Sequence, residues 1–184
     1  MDSEVRHFRQ DGQPLLEDFL CEAVSVPDGV RTAVLDDADA VYDLVQRDIR
    51  AIYPSCYEPT IVEAFCRLHS RDAIATDIGG GKICVLEADG NIVATGTLDG
   101  NHVTRVFVLP ELRGCGYGSA IMDELERIAS RSHSSVAIDS SAPAEQFYLH
   151  RGYRITGSGE WVIEAEDGMQ AATLVYKTME KHLG

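Results

Sequence analysis

Three glycines at alternate positions, Gly114, Gly116 and Gly118, follow Arg113 and precede Ser119. Before them runs Val103 to Leu109, rich in β-branched and aromatic residues and ended by Pro110, which reads as a strand. After them, Ile121, Met122, Leu125, Ile128 and Ala129 fall at the spacing of one helical face. A strand, a glycine turn and a helix start, in that order, make an anion site from backbone. The first N–H groups of a helix have no partner within it and lie at its positive end. Glycines let the chain take positive φ and approach a phosphate closely. The expected ligand of this turn therefore carries phosphate.

The turn matches neither of the two commonest phosphate loops. A P-loop ends in Lys followed by Ser or Thr, and no lysine occurs here; the Gly-x-Gly-x-x-Gly dinucleotide pattern fails at Ser119 or Ile121, depending on where it is started. Arg113-Gly114-Cys115-Gly116-Tyr117-Gly118 instead resembles the Arg/Gln-x-x-Gly-x-Gly/Ala loop of the GNAT superfamily of acyl-CoA-dependent N-acetyltransferases. The resemblance implies that the amides from Arg113 through Gly118 and Ser119 cradle the pyrophosphate of coenzyme A. It also implies that the preceding strand, with Val106, Phe107 and Val108, carries the acyl-pantetheine arm. Downstream, Ala144-Glu-Gln-Phe-Tyr-Leu-His-Arg-Gly-Tyr153 resembles the family's Ala-x-x-(aromatic or Leu)-Tyr-x-x-x-Gly-(Phe or Tyr) segment, which puts Tyr148 at the family's usual general acid. One departure is clear. Many members have Asn seven positions before that tyrosine, and this chain has Ser141, a shorter polar contact for the cofactor.

Acetyl transfer from a thioester to an amine sets three requirements. The amine must be neutral, the oxyanion needs donors, and the departing thiolate needs a proton. A phenol with a pKa near 10 is protonated at neutral pH and can supply that proton, which suits Tyr148. Backbone N–H groups around Phe107 and Val108 are the expected oxyanion donors, because the family strand bulges there. For the base, His102 stands six residues before Val108, where many members carry glutamate; an imidazole near pKa 6.5 can take a proton directly or through water. Asp99 and Asp139, at strand ends, are alternatives, and several family members use no dedicated base. The acceptor side is expected from the first two helices and their connection, with Tyr53, Tyr57 and Glu58 as aromatic walls and a carboxylate suited to an ammonium group. Trp161, with Glu160 and Glu164, also falls near the last hairpin.

The elements that must hold these residues follow an α+β order. Val30 to Leu35 reads as a strand, Asp36 or Asp37 as the cap of a helix over Ala38 to Ile52, and Thr60 to His69 as a second helix. Lys82 to Glu87 and Ile92 to Leu98 are strands joined by the hairpin signal Asp89-Gly90-Asn91. Asp99-Gly100-Asn101 turns into the strand at His102. Ser135 to Asp139 is a strand, Ala144 to His150 a short helix, and Tyr153 to Thr156 and Thr173 to Thr178 complete the sheet. The expected fold class is a three-layer α/β/α arrangement with a GNAT-like mixed, mostly antiparallel sheet flanked by helices. Residues 1–29 read as an N-terminal extension with a short helix across Leu15 to Val24, and residues 30–184 as the GNAT-like domain.

Composition bounds the rest. The chain has 184 residues, enough for one domain with a single core. Nothing is long and apolar enough to span a bilayer, and the polar start is not expected to be a secretory signal. Five cysteines, an odd count without Cys-x-x-Cys spacing, argue against a disulfide framework or a zinc site, so no metal is expected and the cytoplasm is the simplest home. Cys115 lies in the glycine turn, where a helix N-terminus lowers a thiol pKa and oxidation would block the cofactor; a small residue fitting a tight turn is the plainer reading. The net charge of −14 repels nucleic acid and anionic lipid and is compatible with a cationic amine. The expected activity is N-acetyl transfer from acetyl-CoA to a primary amine in a ternary complex, and the resemblance implies a homodimer as a common outcome. A non-catalytic acyl-CoA sensor or partner-binding module on the same fold is the alternative.

Overall fold

The computed structural model describes residues 29–164 and 170–184. The helix expected across Leu15 to Val24 lies outside the described residues. Seven strands form one sheet in the order β1-β2-β3-β4-β5-β7-β6: β1 (Gly29–Thr32), β2 (Ile83–Ala88), β3 (Asn91–Asp99), β4 (His102–Val108), β5 (Ser135–Ser140), β6 (Arg154–Glu164) and β7 (Gln170–His182). Every neighbouring pair is antiparallel except β4 and β5. Among the described residues five α-helices accompany them: α1 (Ala38–Ile52), α2 (Pro59–Leu68), α3 (Arg71–Gly79), α4 (Tyr117–Ala129) and α5 (Glu145–His150). This is the mixed, mostly antiparallel sheet flanked by helices that the sequence leads one to expect.

Two apolar clusters sandwich the sheet. One packs Val41, Leu44, Val45 and Ile49 of α1 and Ile61 and Phe65 of α2 onto Ile83, Val85 and Phe107. The other packs Ile121, Met122 and Leu125 of α4 onto Leu86, Ala94, Val103 and Val136. The alternation of β2 explains the division, since successive side chains point to opposite faces. Gly96 of β3 sets the distance of α4. A Cβ there would stand 2.5 Å from Ile121 Cγ2 and 2.8 Å from Leu125 Cδ1, so only glycine lets the helix lie this close.

Three local expectations need correction. The first concerns Asp37. It stands at the N-cap of α1 as expected, but its side chain accepts the Val34 N–H at 2.8 Å and ion-pairs Arg31 instead of accepting an amide of that helix. Next, α3 was not foreseen, because its residues give almost no apolar face; Ser70 starts it by accepting the Ala73 N–H at 3.3 Å. The last hairpin, finally, is far longer than expected, with β6 and β7 paired from Arg154↔Glu180 to Glu164↔Gln170.

Candidate active site

The site begins where the sheet comes apart. β4 and β5 are paired only at His102↔Ala137 and Val103↔Ile138, and beyond Val103 the two strands diverge. On its other edge β4 carries a bulge: Thr95 faces Phe107 and Thr97 faces Thr104, so Arg105 and Val106 together stand opposite Gly96. Arg105 takes the left-handed conformation, φ +46°, within a strand. Such a backbone costs energy in a non-glycine residue and persists only where its surroundings hold it.

Two chambers open on either side of the gap. The first, about 280 Å³, is lined by Val106, Phe107 and Val108 of β4, by Arg113, Gly114, Gly116, Tyr117, Gly118 and Ser119 of the glycine turn, and by Ser141 and Phe147. Gly114 and Gly116 have φ of +84° and +86°, and Gly116 is the N-cap of α4. The first amides of that helix therefore border the chamber without an intrahelical partner. A side chain on Gly118 would meet Val108 and Phe147 at 3.5 Å and narrow it. Cys115 does not line the chamber. Cys56, Cys66 and Cys84 are free cysteines among the described residues.

The second chamber, about 410 Å³, is lined by Phe65 and Leu68 of α2, His69, Arg105, Asp139, Glu160 and Trp161 of β6, and Leu174 and Tyr176 of β7. Aromatic rings dominate its wall. Phe65 meets Tyr53 edge-on at 4.8 Å and Trp161 at 5.5 Å between ring centroids, and His69 meets Phe107 at 5.4 Å. Tyr53, Val106, Phe107, Ser141, Ala144 and Tyr148 line both chambers, so this group is their common boundary.

Tyr148 stands at that boundary. It is buried on α5, and among the described residues no group hydrogen-bonds its hydroxyl. Burial pushes its pKa well up, which keeps the proton on the oxygen at neutral pH. Tyr53 is also buried; its hydroxyl lies 3.3 Å from Ser141 Oγ, and its pKa is likewise raised by burial. Tyr57 does not line either chamber. Its hydroxyl accepts the Ala142 N–H at 2.6 Å, and thus ties the α1–α2 connection to the segment after β5. Glu58 is the N-cap residue of α2 and lines neither chamber.

His102 also lines neither chamber; its Nε2 lies 3.5 Å from Asp139 Oδ2, and Asp139 faces the second chamber. The histidine therefore reaches the site only through the aspartate. Asp99 is engaged on the surface with Lys82, Nζ to Oδ2 at 2.8 Å.

Several residues of the site escaped the sequence reading. Asp48 is buried in the first chamber, where its Oδ1 lies 3.3 Å from Arg113 Nη1; burial raises its carboxyl to about 6 despite the nearby guanidinium. It occupies the apolar stripe of α1, three residues after Val45 and four after Leu44, and that charge among apolar neighbours was the available signal. His69 and Arg105 were missed as well. Arg105 donates from Nε to His69 Nδ1 at 3.1 Å and ion-pairs Asp77 of α3. An arginine in mid-strand between Thr104 and Val106 was the clue there.

The acetyltransferase (GNAT) domain family matches residues 51–164, more than half of the chain. The chain belongs to the GNAT acetyltransferase family, whose cosubstrate is acetyl-CoA. Solved structures share the fold. A GCN5-related N-acetyltransferase from Rhodopseudomonas palustris superposes with a TM-score of 0.77 at 23% identity, over 88% of this chain and 98% of that one. PaiA N-acetyltransferase from Thermoplasma acidophilum, in complex with coenzyme A, gives 0.61 at 15% identity over 84% and 98%. A polyamine N-acetyltransferase from Drosophila melanogaster, which forms N-acetylagmatine, gives 0.60 at 17% over 84% and 99%. No helix among the described residues is long and apolar enough to cross a membrane.

Proposed function

We propose that this protein is an N-acetyltransferase that moves the acetyl group of acetyl-CoA to a primary amine by direct attack in a ternary complex. The observation that carries this reading is the meeting of two chambers at Tyr148, through the gap where β4 leaves β5. When bound, acetyl-CoA supplies an activated acetyl group and a thiolate leaving group. The first chamber fits it. Gly114 and Gly116 hold left-handed turns, the open amides of α4 would hold the phosphates, and Arg113, paired with Asp48, stands beside them. Val106, Phe107 and Val108 would align the pantetheine arm, and Ser141 would offer it a polar contact. The β4 amides around Phe107 and Val108 serve as oxyanion donors, beside a bulge that frees the strand from regular pairing.

Tyr148 gives its proton to the departing thiolate, a role suited to a buried phenol without another partner. The amine enters from the second chamber, where Asp139 and Glu160 attract its ammonium form and the aromatic wall covers its carbon chain. His102 and Asp139 together take up the amine proton, the histidine acting through the aspartate beside it. We place the reaction in the cytoplasm and assign the active species as a homodimer, to be checked by cell fractionation and light scattering.

The test is a calorimetric titration with acetyl-CoA, coenzyme A and ATP, beside Gly116→Glu, followed by an amine panel read out by free thiol release. Saturable binding of both CoA compounds but not ATP, lost in the variant, together with thiol release by at least one amine, is the expected result. Folded protein that binds no CoA compound overturns the reading. Binding without transfer to any amine favours a sensor on the same fold.

A further inference from the structure

The imidazole of His69 is held in a single chemical form by three elements. His69 follows the last residue of α2, and its carbonyl, with that of Cys66, accepts from Gln46 Nε2 of α1 at 3.1 and 3.0 Å. Its ring stacks near Phe65 and edge-on to Phe107. Its Nδ1 accepts from the guanidinium of Arg105, which cannot act as an acceptor, so Nδ1 bears no proton and the ring proton sits on Nε2. Arg105 is fixed in turn by Asp77, by Thr97 Oγ1 at 3.5 Å and by its own left-handed place in the bulge. Burial and the Arg105 charge together push the histidine down to about 3, so the ring stays neutral at physiological pH. A neutral imidazole this weakly basic is no proton acceptor for an ammonium. It is a permanent donor, and it lines the second chamber.

We propose that His69 is a specificity residue whose Nε2–H binds an uncharged carbonyl oxygen on the acceptor, so that the preferred substrate is an amine that also carries an amide group. Arg105 is the positioning residue that sets the tautomer. The other charges of the chamber decide between an amide and a carboxylate. Asp139 and Glu160 line the same space, and the Arg105 charge is already paired with Asp77, so the field there disfavours an anion. The amine end and the amide end are thus recognised by different groups: carboxylates for the ammonium, a neutral N–H for the oxygen. A substrate that leaves this donor unpaired in the buried site incurs its desolvation penalty, which is enough to discriminate.

The inference rests on the acetyltransferase reading, and the test separates the two. A series of ω-amino amides of increasing chain length is assayed beside alkylamines in which isopropyl replaces the CONH2 group, beside the ω-amino acids, and beside short lysine-containing peptides. At the best length the amide is expected to exceed its hydrocarbon partner in kcat/KM by about tenfold or more. That ratio is expected to collapse towards one in His69→Phe and to be largely retained in His69→Gln, which supplies an N–H donor. A peptide preferred over free amino amides supports the same chemistry from a protein source. Alkylamines or amino acids that serve as well as the amides at every length overturn the proposal but leave the acetyltransferase reading intact. Transfer to none of these amines by CoA-binding protein overturns both. Nitrogen-15 NMR of the imidazole gives an independent check. The Nε2–H tautomer without titration from about pH 5 to 9 is expected, and it should give way in Arg105→Met. An Nδ1–H or charged ring in the unmutated protein would overturn the assignment.

Discussion

Asp48 Oδ1 and Arg113 Nη1 stand 3.3 Å apart inside the first chamber, a buried carboxylate against the arginine that opens the glycine turn. The pairing does not fully offset burial, because the carboxyl is still raised from 3.8 to about 6. A raised carboxyl binds a proton in the folded state that the unfolded chain has lost. Its contribution is therefore present below 3.8 and is lost as pH rises through about 6.

His69 pulls the other way. Its imidazole is lowered from 6.5 to about 3, so the unfolded chain binds the extra proton and stability is lost as pH falls below 6.5. Between about pH 4 and 6 the two slopes have opposite sign and largely cancel. Urea denaturation across that window is expected to show stability rising with pH more steeply in Asp48→Asn than in the unmutated protein. In His69→Gln it should rise less steeply or fall. Parallel curves for all three proteins would contradict the burial of one or both groups.

Tyr148→Phe retains the ring and removes only the proton. Turnover is expected to fall about a hundredfold or more, the range of general acid catalysis. Coenzyme A affinity should stay within about twofold, since the hydroxyl forms no hydrogen bond on which the fold depends. Steady-state kinetics with matched calorimetry measures both, and unchanged turnover would remove the acid role.

Trp161 lines the second chamber only. Trp161→Ala is therefore expected to raise the KM for the amine by roughly tenfold, while the Kd for coenzyme A measured by calorimetry stays the same. A comparable loss in both would mean that the hairpin supports the whole site rather than one side of it.

Gly96→Ala places a methyl against Ile121 and Leu125 at distances no packed pair tolerates. A loss of about 1–3 kcal/mol is expected, as for other overpacked cores. Combining it with Ile121→Ala should give less than the sum of the two single effects, because the second change removes the nearest clashing atom. Thermal and urea unfolding of the four proteins would decide it, and strict additivity would show that α4 moves as a body.

Elements with strong local signals could be read from the chain. The stripe of α1, the Asp89-Gly90 turn and the strand–glycine–helix run at Arg113 all carry their instruction within a few residues of themselves. The rest depended on partners distant in sequence. α3 has little apolar face and is held by Arg105 reaching Asp77 across 28 residues. Glu58 looked suited to an ammonium group, yet its neighbour Tyr57 is the residue turned inward, to Ala142. Asp48 and His69 owe their altered acidity to burial, which no spacing rule expresses. Where pattern and charge disagreed on one face, as at Asp48, the disagreement itself marked the site.

The two chambers share Tyr53, Val106, Phe107, Ser141, Ala144 and Tyr148, and on either side of that boundary the walls come from different stretches of chain. The first chamber draws on β4, the glycine turn, α4 and α5, while the second adds α2, the α2–α3 elbow and the β6–β7 hairpin. Mutation can therefore reshape the latter without touching the former. A lineage built on this sheet could exchange one amine for another through changes in an elbow and a hairpin, and keep its acyl donor throughout.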